Sequence, residues 1–468
     1  MGYYVRFSQR RRGFSVIATH TPPIALRFVR PSVDALLFIR RVHVGCLLGL
    51  VLAGILCPRL VAAADQIHWT ITGQTSVTFD WRGTTAENSI RYGTSPGVYP
   101  NTKTAVTPSP VPDSSPGPFW EARITGLQEN TLYYYRIGTN AEHTFRTPPP
   151  RGSSGFWIAE EADIGSSDDW PNVTTTQAMI PIDSPAIPGD DRPRFVLAPG
   201  DLTYGDQSGP SVVNIHFNDV MVWSQDIAYM PAWGNHEDGS SSDDRQNYEG
   251  RFDFPNSQDS PNAPSTGGPG EEWYWFDYGN ARFICYPEPF SGAWSDWRTK
   301  ADPIMAAAQA DPAIRFIVTY GHRPPWSSGA DHGGDATLAG YMRDLHAKYA
   351  KYVMNIGAHS HHYERSHPAQ TNGILHLIGP GGGSSLGGLA SSQPSWSAYR
   401  INHLQHIRMF FGADRIQGYV LCGPAGSGST DTCTQGTVID TWTILDPSGP
   451  APTDLVAPAS VTDLRPGG

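Results

Sequence analysis

Between residues 66 and 147 apolar and polar positions alternate in short runs, such as Ser76-Val77-Thr78-Phe79-Asp80-Trp81 and Ser89-Ile90-Arg91-Tyr92, with turn clusters between them. A two-residue period marks half-buried strands, so the pattern predicts an all-β module. No ligands or titratable groups cluster in this stretch, and a structural or positioning role is expected. Pro148-Pro149-Pro150-Arg151-Gly152 then reads as a stiff linker. From residue 155 to about 445 the texture changes. Compact apolar runs alternate with segments of helical spacing at 212–224, 294–310 and 336–350, which predicts a layered α/β domain.

Chemistry-bearing residues stand just after five of the apolar runs of that domain. Asp163 follows Phe156-Trp157-Ile158-Ala159, and Asp201 and Tyr204 follow Phe195-Val196-Leu197-Ala198. Gly234-Asn235-His236-Glu237 follows 227–232, and Gly321-His322-Arg323-Pro324 follows 316–320. Gly357-Ala358-His359-Ser360-His361-His362-Tyr363-Glu364-Arg365 follows 352–356. Layered α/β folds place their sites beyond the carboxyl ends of strands. Alone, the Asp201–Tyr204 stretch reads as a Gly-Asp turn with a packing tyrosine, and any one histidine as structural. Together, aspartate, asparagine, tyrosine and histidines in this arrangement match a two-metal oxygen/nitrogen site. Carboxylate plus phenolate suits a trivalent iron. His359 and His361 flank Ser360, so an extended backbone would turn both imidazoles to one side.

These residues resemble the calcineurin-like metallophosphoesterases and, within them, the purple acid phosphatases. Gly200-Asp201-Leu202-Thr203-Tyr204, Gly234-Asn235-His236-Glu237 and His361-His362-Tyr363-Glu364-Arg365 carry the resemblance, and Tyr204 is its discriminating residue. The likeness spans roughly 290 residues. Trp81 and the run Leu132-Tyr133-Tyr134-Tyr135 add a resemblance to a fibronectin type III sandwich, with Tyr133 at its tyrosine corner. The implied fold is a fibronectin-like β-sandwich (65–148) followed by an α/β four-layer metallophosphoesterase sandwich (149–447).

The resemblance also implies roles. Asp163, Tyr204 and His361 would hold Fe(III); Asn235, His322 and His359 would hold a divalent partner (iron, zinc or manganese); Asp201 would bridge them. His236 matches the position that contacts phosphate or protonates the leaving group, and His332 a second outer histidine. The implied reaction is hydrolysis of phosphate monoesters by a metal-bound hydroxide, best below neutral pH. Three departures stand out: Asp331 where a second histidine is usual, Ala358 for glycine, and an extra His362. The following Tyr363-Glu364-Arg365 sets the register of that histidine cluster.

Charge and cysteines narrow the setting. The first 64 residues hold nine arginines, no lysine and one acid, so the chain's net charge of −11 leaves −19 on the rest. A body that acidic argues against nucleic-acid or anionic-membrane partners and leaves small phosphorylated substrates open, since metals reverse the local sign. Arg40-Arg41, the apolar run 44–56 and Val61-Ala62-Ala63-Ala64 read as an export signal, for which Met1 is expected to lie too far upstream as the start. The run is short for a membrane span. A secreted or periplasmic location follows, in which Cys422 and Cys433 could close as a disulfide while Cys285 stays a buried thiol. Residues 448–468 resemble a linker and the start of a further fibronectin-like domain.

Three rival readings stand beside this one. A metallophosphodiesterase or nucleotidase would use the same scaffold. A retired enzyme serving as an adhesion protein would have lost ligands, and all seven are present. A serine hydrolase needs an acid between Ser385 and His406, where none stands. The glycine run 379–383 could cradle a phosphate but lacks the lysine and helix of a nucleotide loop.

Overall fold

The computed structural model describes residues 63–187, 189–237, 242–263 and 271–449. The export-signal and truncated-domain readings fall almost wholly outside them. Alternating strands build the first module as two facing antiparallel sheets. One contains β1 (Asp65–Gly73), β2 (Ser76–Arg82) and β5 (Phe119–Ile124). The other contains β3 (Ser89–Gly93), β4 (Asn101–Thr104), β6 (Leu132–Ile137) and β7 (His143–Arg146). Trp69, Phe79 and Phe145 meet between the sheets, the Phe79 and Phe145 rings 5.2 Å apart. The Tyr133 phenol oxygen accepts the Gln128 N–H at 2.9 Å, which forms the expected tyrosine corner.

The expectation that this module gathers no titratable groups is overturned. The outer face of β1-β2-β5 docks on the second domain and carries His68, Asp80 and Glu121 into that contact. His68 Nε2 donates to Arg251 O at 2.7 Å, and Thr78 Oγ1 to Asp253 Oδ2 at 2.7 Å. Arg251 is buried with its guanidinium 4.6 Å from both the Phe119 and Phe217 rings. Alternation alone assigns such polar positions to solvent, because one strand's pattern does not say what covers its other face.

The second domain is two packed sheets. The first runs β10 (Ala228–Ala232), β9 (Phe195–Pro199), β8 (Phe156–Glu160), β18 (Gln405–Phe411), β19 (Arg415–Cys422), β20 (Val438–Leu445). Its β8, β9 and β10 are parallel and the rest antiparallel. The second runs β11 (Trp275–Tyr278), β12 (Ala281–Cys285), β13 (Phe316–Tyr320), β14 (Tyr352–Gly357), β16 (Leu375–Ile378), β15 (Tyr363–Ser366), β17 (Ser397–Ile401). Within it β12, β13, β14 and β16 are parallel. Aromatic rings fill the space between the sheets, with Phe195 5.3 Å from Phe283 and Phe156 4.8 Å from Tyr278.

Helices cover the outer faces. Beside the first sheet lie α1 (Val173–Met179), α2 (Ser211–Asp219) and α3 (Met221–Ser224), where Trp223 donates to Gln177 Oε1 at 2.8 Å and stacks edge-on to Tyr229. Beside the second lie α4 (Ala293–Ala310) and α5 (Ala336–His346), tied down by Trp297 Nε1 donating to Cys285 O at 2.8 Å. This is the four-layer order of helix, sheet, sheet and helix. The apolar parallel strands point their carboxyl ends to one edge, and the loops there carry the site. The expected single helix over 212–224 is broken at Val220, and the one over 336–350 stops at His346.

Cys422 and Cys433 are disulfide-bonded and Cys285 is a buried free thiol. Among the described residues no helix is long and apolar enough to cross a membrane.

Candidate metal centre

Backbone geometry first turns the ligand candidates inward. Asp163, Asp201 and His359 all have left-handed φ angles, of 51°, 50° and 66°. Side chains rarely adopt that conformation without compensation. His359 therefore does not sit in extended backbone, contrary to the alternation argument; the kink sends His359 and His361 to different halves of the cluster. Gly200, at φ 91°, is needed because a Cβ there would lie 2.7 Å from Gly234 N and 2.8 Å from His322 Cβ. Three strand-end loops meet at that point.

Two groups of donors converge, sharing Asp201. In the first, His322 Nε2 lies 3.0 Å from Asp201 Oδ2, 3.2 Å from Asn235 Oδ1 and 3.1 Å from His359 Nδ1. In the second, His361 Nε2 lies 3.0 Å from Asp163 Oδ1 and 3.4 Å from the Tyr204 hydroxyl, which also donates to Ser384 Oγ. The ligand atoms of Asp201, His322 and His359, and those of Asp163, Asp201 and His361, lie within 4.8 Å of one another in each set. All seven sequence-nominated ligands are thus in one cluster, and five of them, Asp163, Asp201, Tyr204, His322 and His359, are buried. His236 and His332 are at its edge.

The donor chemistry fits cations. His322 Nδ1 donates to Pro199 O at 3.0 Å, and His361 Nδ1 donates to Ser385 O. With those protons committed, each ring offers an Nε2 lone pair to the centre. Asp163 Oδ1 is buried and faces His361 Nε2 at 3.0 Å, a placement that is costly unless a positive charge is present. Burial opposes charge on both rings, yet Asp201 lifts the His322 pKa to about 10 and Asp163 lifts that of His361 to about 9. Burial, then Asp163 and Asp201, pushes the Tyr204 phenol well above its ordinary range, so only a strongly charged cation would make it a phenolate.

Several residues to which motif reading gives no ligand role hold this frame together. Glu237 is 1% exposed and accepts four backbone N–H groups: Asp201 and Gly234 on Oε2, Leu202 and Thr203 on Oε1. It staples the loop after β9 to the loop after β10. Asp331, which replaces a histidine of the family pattern, accepts from His361 N at 3.0 Å and Ser360 Oγ at 3.2 Å. It braces the histidine loop. His362 turns away from the centre to Glu364 Oε2 and Ser360 Oγ, which leaves His361 as the inward ring. At the rim, His236 Nδ1 bonds Asp206 at 2.9 Å, and the His332 ring stacks on His359 at 4.0 Å.

The glycine run is a packing device and not a phosphate cradle. A Cβ on Gly381 would fall 1.5 Å from Gln405 O, and one on Gly382 2.5 Å from Ile164 Cγ1. The loop presses against the Asp163 segment, with Gly382 N donating to Ala162 O and Ser384 N to Asp163 O.

Comparison with known proteins agrees with this frame. Residues 64–149 match the family model described as purple acid phosphatase, N-terminal domain, and residues 162–363 the one described as calcineurin-like phosphoesterase. Purple acid phosphatase 22 of Arabidopsis thaliana is 25% identical over 74% of this chain and 78% of its own length. Human acid phosphatase type 7 is 23% identical over 74% of this chain and 85% of its own. Among solved structures, purple acid phosphatase PPD1 of yellow lupin superposes with a TM-score of 0.64 at 20% identity, covering 85% of this chain and 78% of that one. A dinuclear metal centre is implied by that family, and the buried Asp/His groups are in keeping with it. The chain belongs to the purple acid phosphatases, within the calcineurin-like phosphoesterases, and is a phosphoesterase of the acid phosphatase kind.

Proposed function

We propose that this chain hydrolyses phosphate monoesters outside the cytoplasm, best below neutral pH, at a centre of Fe(III) and a divalent iron, zinc or manganese. Asp163, Tyr204 and His361 would hold the ferric ion, Asn235, His322 and His359 its partner, and Asp201 both. Such a pair supplies Lewis acidity that acidifies a water and neutralises phosphoryl charge. The side chains do the rest. Asp163 and Asp201 keep the pocket anionic, and Glu237 and Asp331 fix the loops that present the donors. His236 is oriented by Asp206 through Nδ1, leaving Nε2 on the inward side, 3.8 Å from Asp201 Oδ2. From there it hands a proton to the departing alkoxide. His332, stacked on His359, is a second proton donor at the mouth.

The observation that carries this reading is Tyr204, 4% exposed with its hydroxyl 3.4 Å from His361 Nε2. A tyrosine oxygen among these donors suits a ferric ion better than a site of two divalent ions. The Cys422–Cys433 disulfide supports an oxidising compartment, and 65–148 is taken as a positioning module for 149–447. Steady-state assays with a simple aryl monophosphate and a bis-aryl phosphodiester test the ester class. A higher kcat/KM for the monoester, rising from pH 8 to pH 5, is expected. A preference for the diester would move the chain to the phosphodiesterase reading.

A further inference from the structure

We propose that Arg323, braced by Glu288, is the residue that grips the phosphate group of the substrate. The inference rests on reading the centre as a phosphate-ester site. Arg323 follows His322 directly, and its guanidinium lies beside His359 at the rim. Nε donates to Glu288 Oε2 at 2.9 Å, and Nη1 lies 3.0 Å from His359 Nε2. Nη2 makes no hydrogen bond among the described residues. Glu288 is nearly inaccessible, at 3%, whereas the Arg323 side chain is 32% exposed. One end of the guanidinium is therefore anchored in the interior and the other opens to the rim.

The contact with His359 is what gives the arrangement direction. His359 faces the donor cluster with Nδ1, 3.1 Å from His322 Nε2. A ring that lends its Nδ1 lone pair to a cation carries its proton on Nε2. Nε2–H cannot accept from Arg323, so the Nη1 donor loses its partner when the cluster holds a cation. Glu288 still fixes Nε. The Nη1/Nη2 edge is then a two-donor fork with no acceptor among the described residues, and His332 stacks on the ring of the same His359. Planar forks of this kind match two oxygens of a phosphate. Asp163, Asp201, Asp206 and Asp331 make the surroundings anionic, so a fixed positive charge at the rim also offsets their repulsion of an incoming phosphate.

The test is orthophosphate binding to the metal-loaded enzyme by calorimetry, with metal content and KM and kcat measured alongside, for wild type, Arg323→Gln and Arg323→Lys. The proposal expects Arg323→Gln to weaken orthophosphate by about ten- to a hundredfold, the scale of charge-assisted hydrogen bonds. Metal content should be unchanged and the loss should fall on KM more than on kcat. Arg323→Lys, which keeps charge without the fork, should lose less affinity than Arg323→Gln but bind more weakly than wild type. Orthophosphate affinity equal to wild type in Arg323→Gln overturns the proposal and leaves the phosphatase reading intact. Lost metal in both variants also overturns it, since Arg323 would then serve His359 and not the substrate. Wild-type protein that binds no orthophosphate defeats the proposal together with the reading beneath it.

Discussion

Asp201 is the residue at which the two halves of the centre meet, and substitutions around it separate chemistry from architecture. Asp201→Asn removes the shared carboxylate charge, and kcat/KM should fall by at least about a hundredfold, the scale seen when one preorganised electrostatic group is lost. Tyr204→Phe keeps the ring against Trp170, 4.6 Å away, and removes only the hydroxyl. Its protein should retain most activity while losing visible absorbance. Glu237→Gln touches no ligand atom, yet it weakens the acceptor of four N–H groups. Metal affinity should drop by about ten- to a hundredfold, as for other outer partners of ligands, and dialysis against a chelator followed by metal analysis would detect it. Retention equal to wild type would mean that Glu237 is dispensable for the frame.

At the scale of elements, the glycine run shows where a local pattern misleads. As sequence, Gly379-Pro380-Gly381-Gly382-Gly383 looks like exposed backbone that could meet a phosphate. In the fold it follows β16 and fills the space against Ala162, Ile164 and Gln405. Gly381→Ala should destabilise by about 1–3 kcal/mol or more, as overpacking does, and a thermal melt unchanged from wild type would refute the close packing. The parallel strands β8, β9, β10, β13 and β14 were legible because both faces are covered and their sequences are continuous apolar runs. So were the ligands, since strand ends and motif residues coincide. The antiparallel strands β18, β19 and β20 were not read: Arg408, Gln417 and Asp440 interrupt their apolar pattern. Arg408 is buried all the same, its guanidinium donating to the carbonyls of Met179 and Ile180. Asp331 and Glu237 were visible as letters, but their work is to accept backbone N–H groups from loops distant in sequence, which no spacing encodes.

Across the whole molecule, the contact between sandwich and second domain carries more unpaired acid than any single strand suggests. Asp80 is 2% exposed, neither of its oxygens has a hydrogen bond among the described residues, and it sits opposite Glu121 across β2 and β5. Burial, then Glu121, Asp253 and Glu271, raises its pKa well above the ordinary value. Burial, then Glu249 and other acids, lifts Glu271 to about 9. Acids whose folded pKa exceeds the unfolded one favour the folded state fully below the unfolded value, near 4. They lose that contribution as pH rises through the folded value. The melting temperature should therefore fall between pH 5 and pH 9, and Asp80→Asn should flatten the fall and melt higher than wild type at pH 8. A melting temperature independent of pH, or an Asp80→Asn protein less stable at pH 8, would contradict it. Arg123 and Arg251 face the same contact and temper the effect without removing it.

Metal content and the visible spectrum of the purified protein bear most directly on the account. Two metal ions per chain, one of them iron, with a visible band that Tyr204→Phe abolishes and Asp201→Asn protein that binds less than its full complement, is the predicted result. Fully active protein that is colourless and free of iron would contradict it.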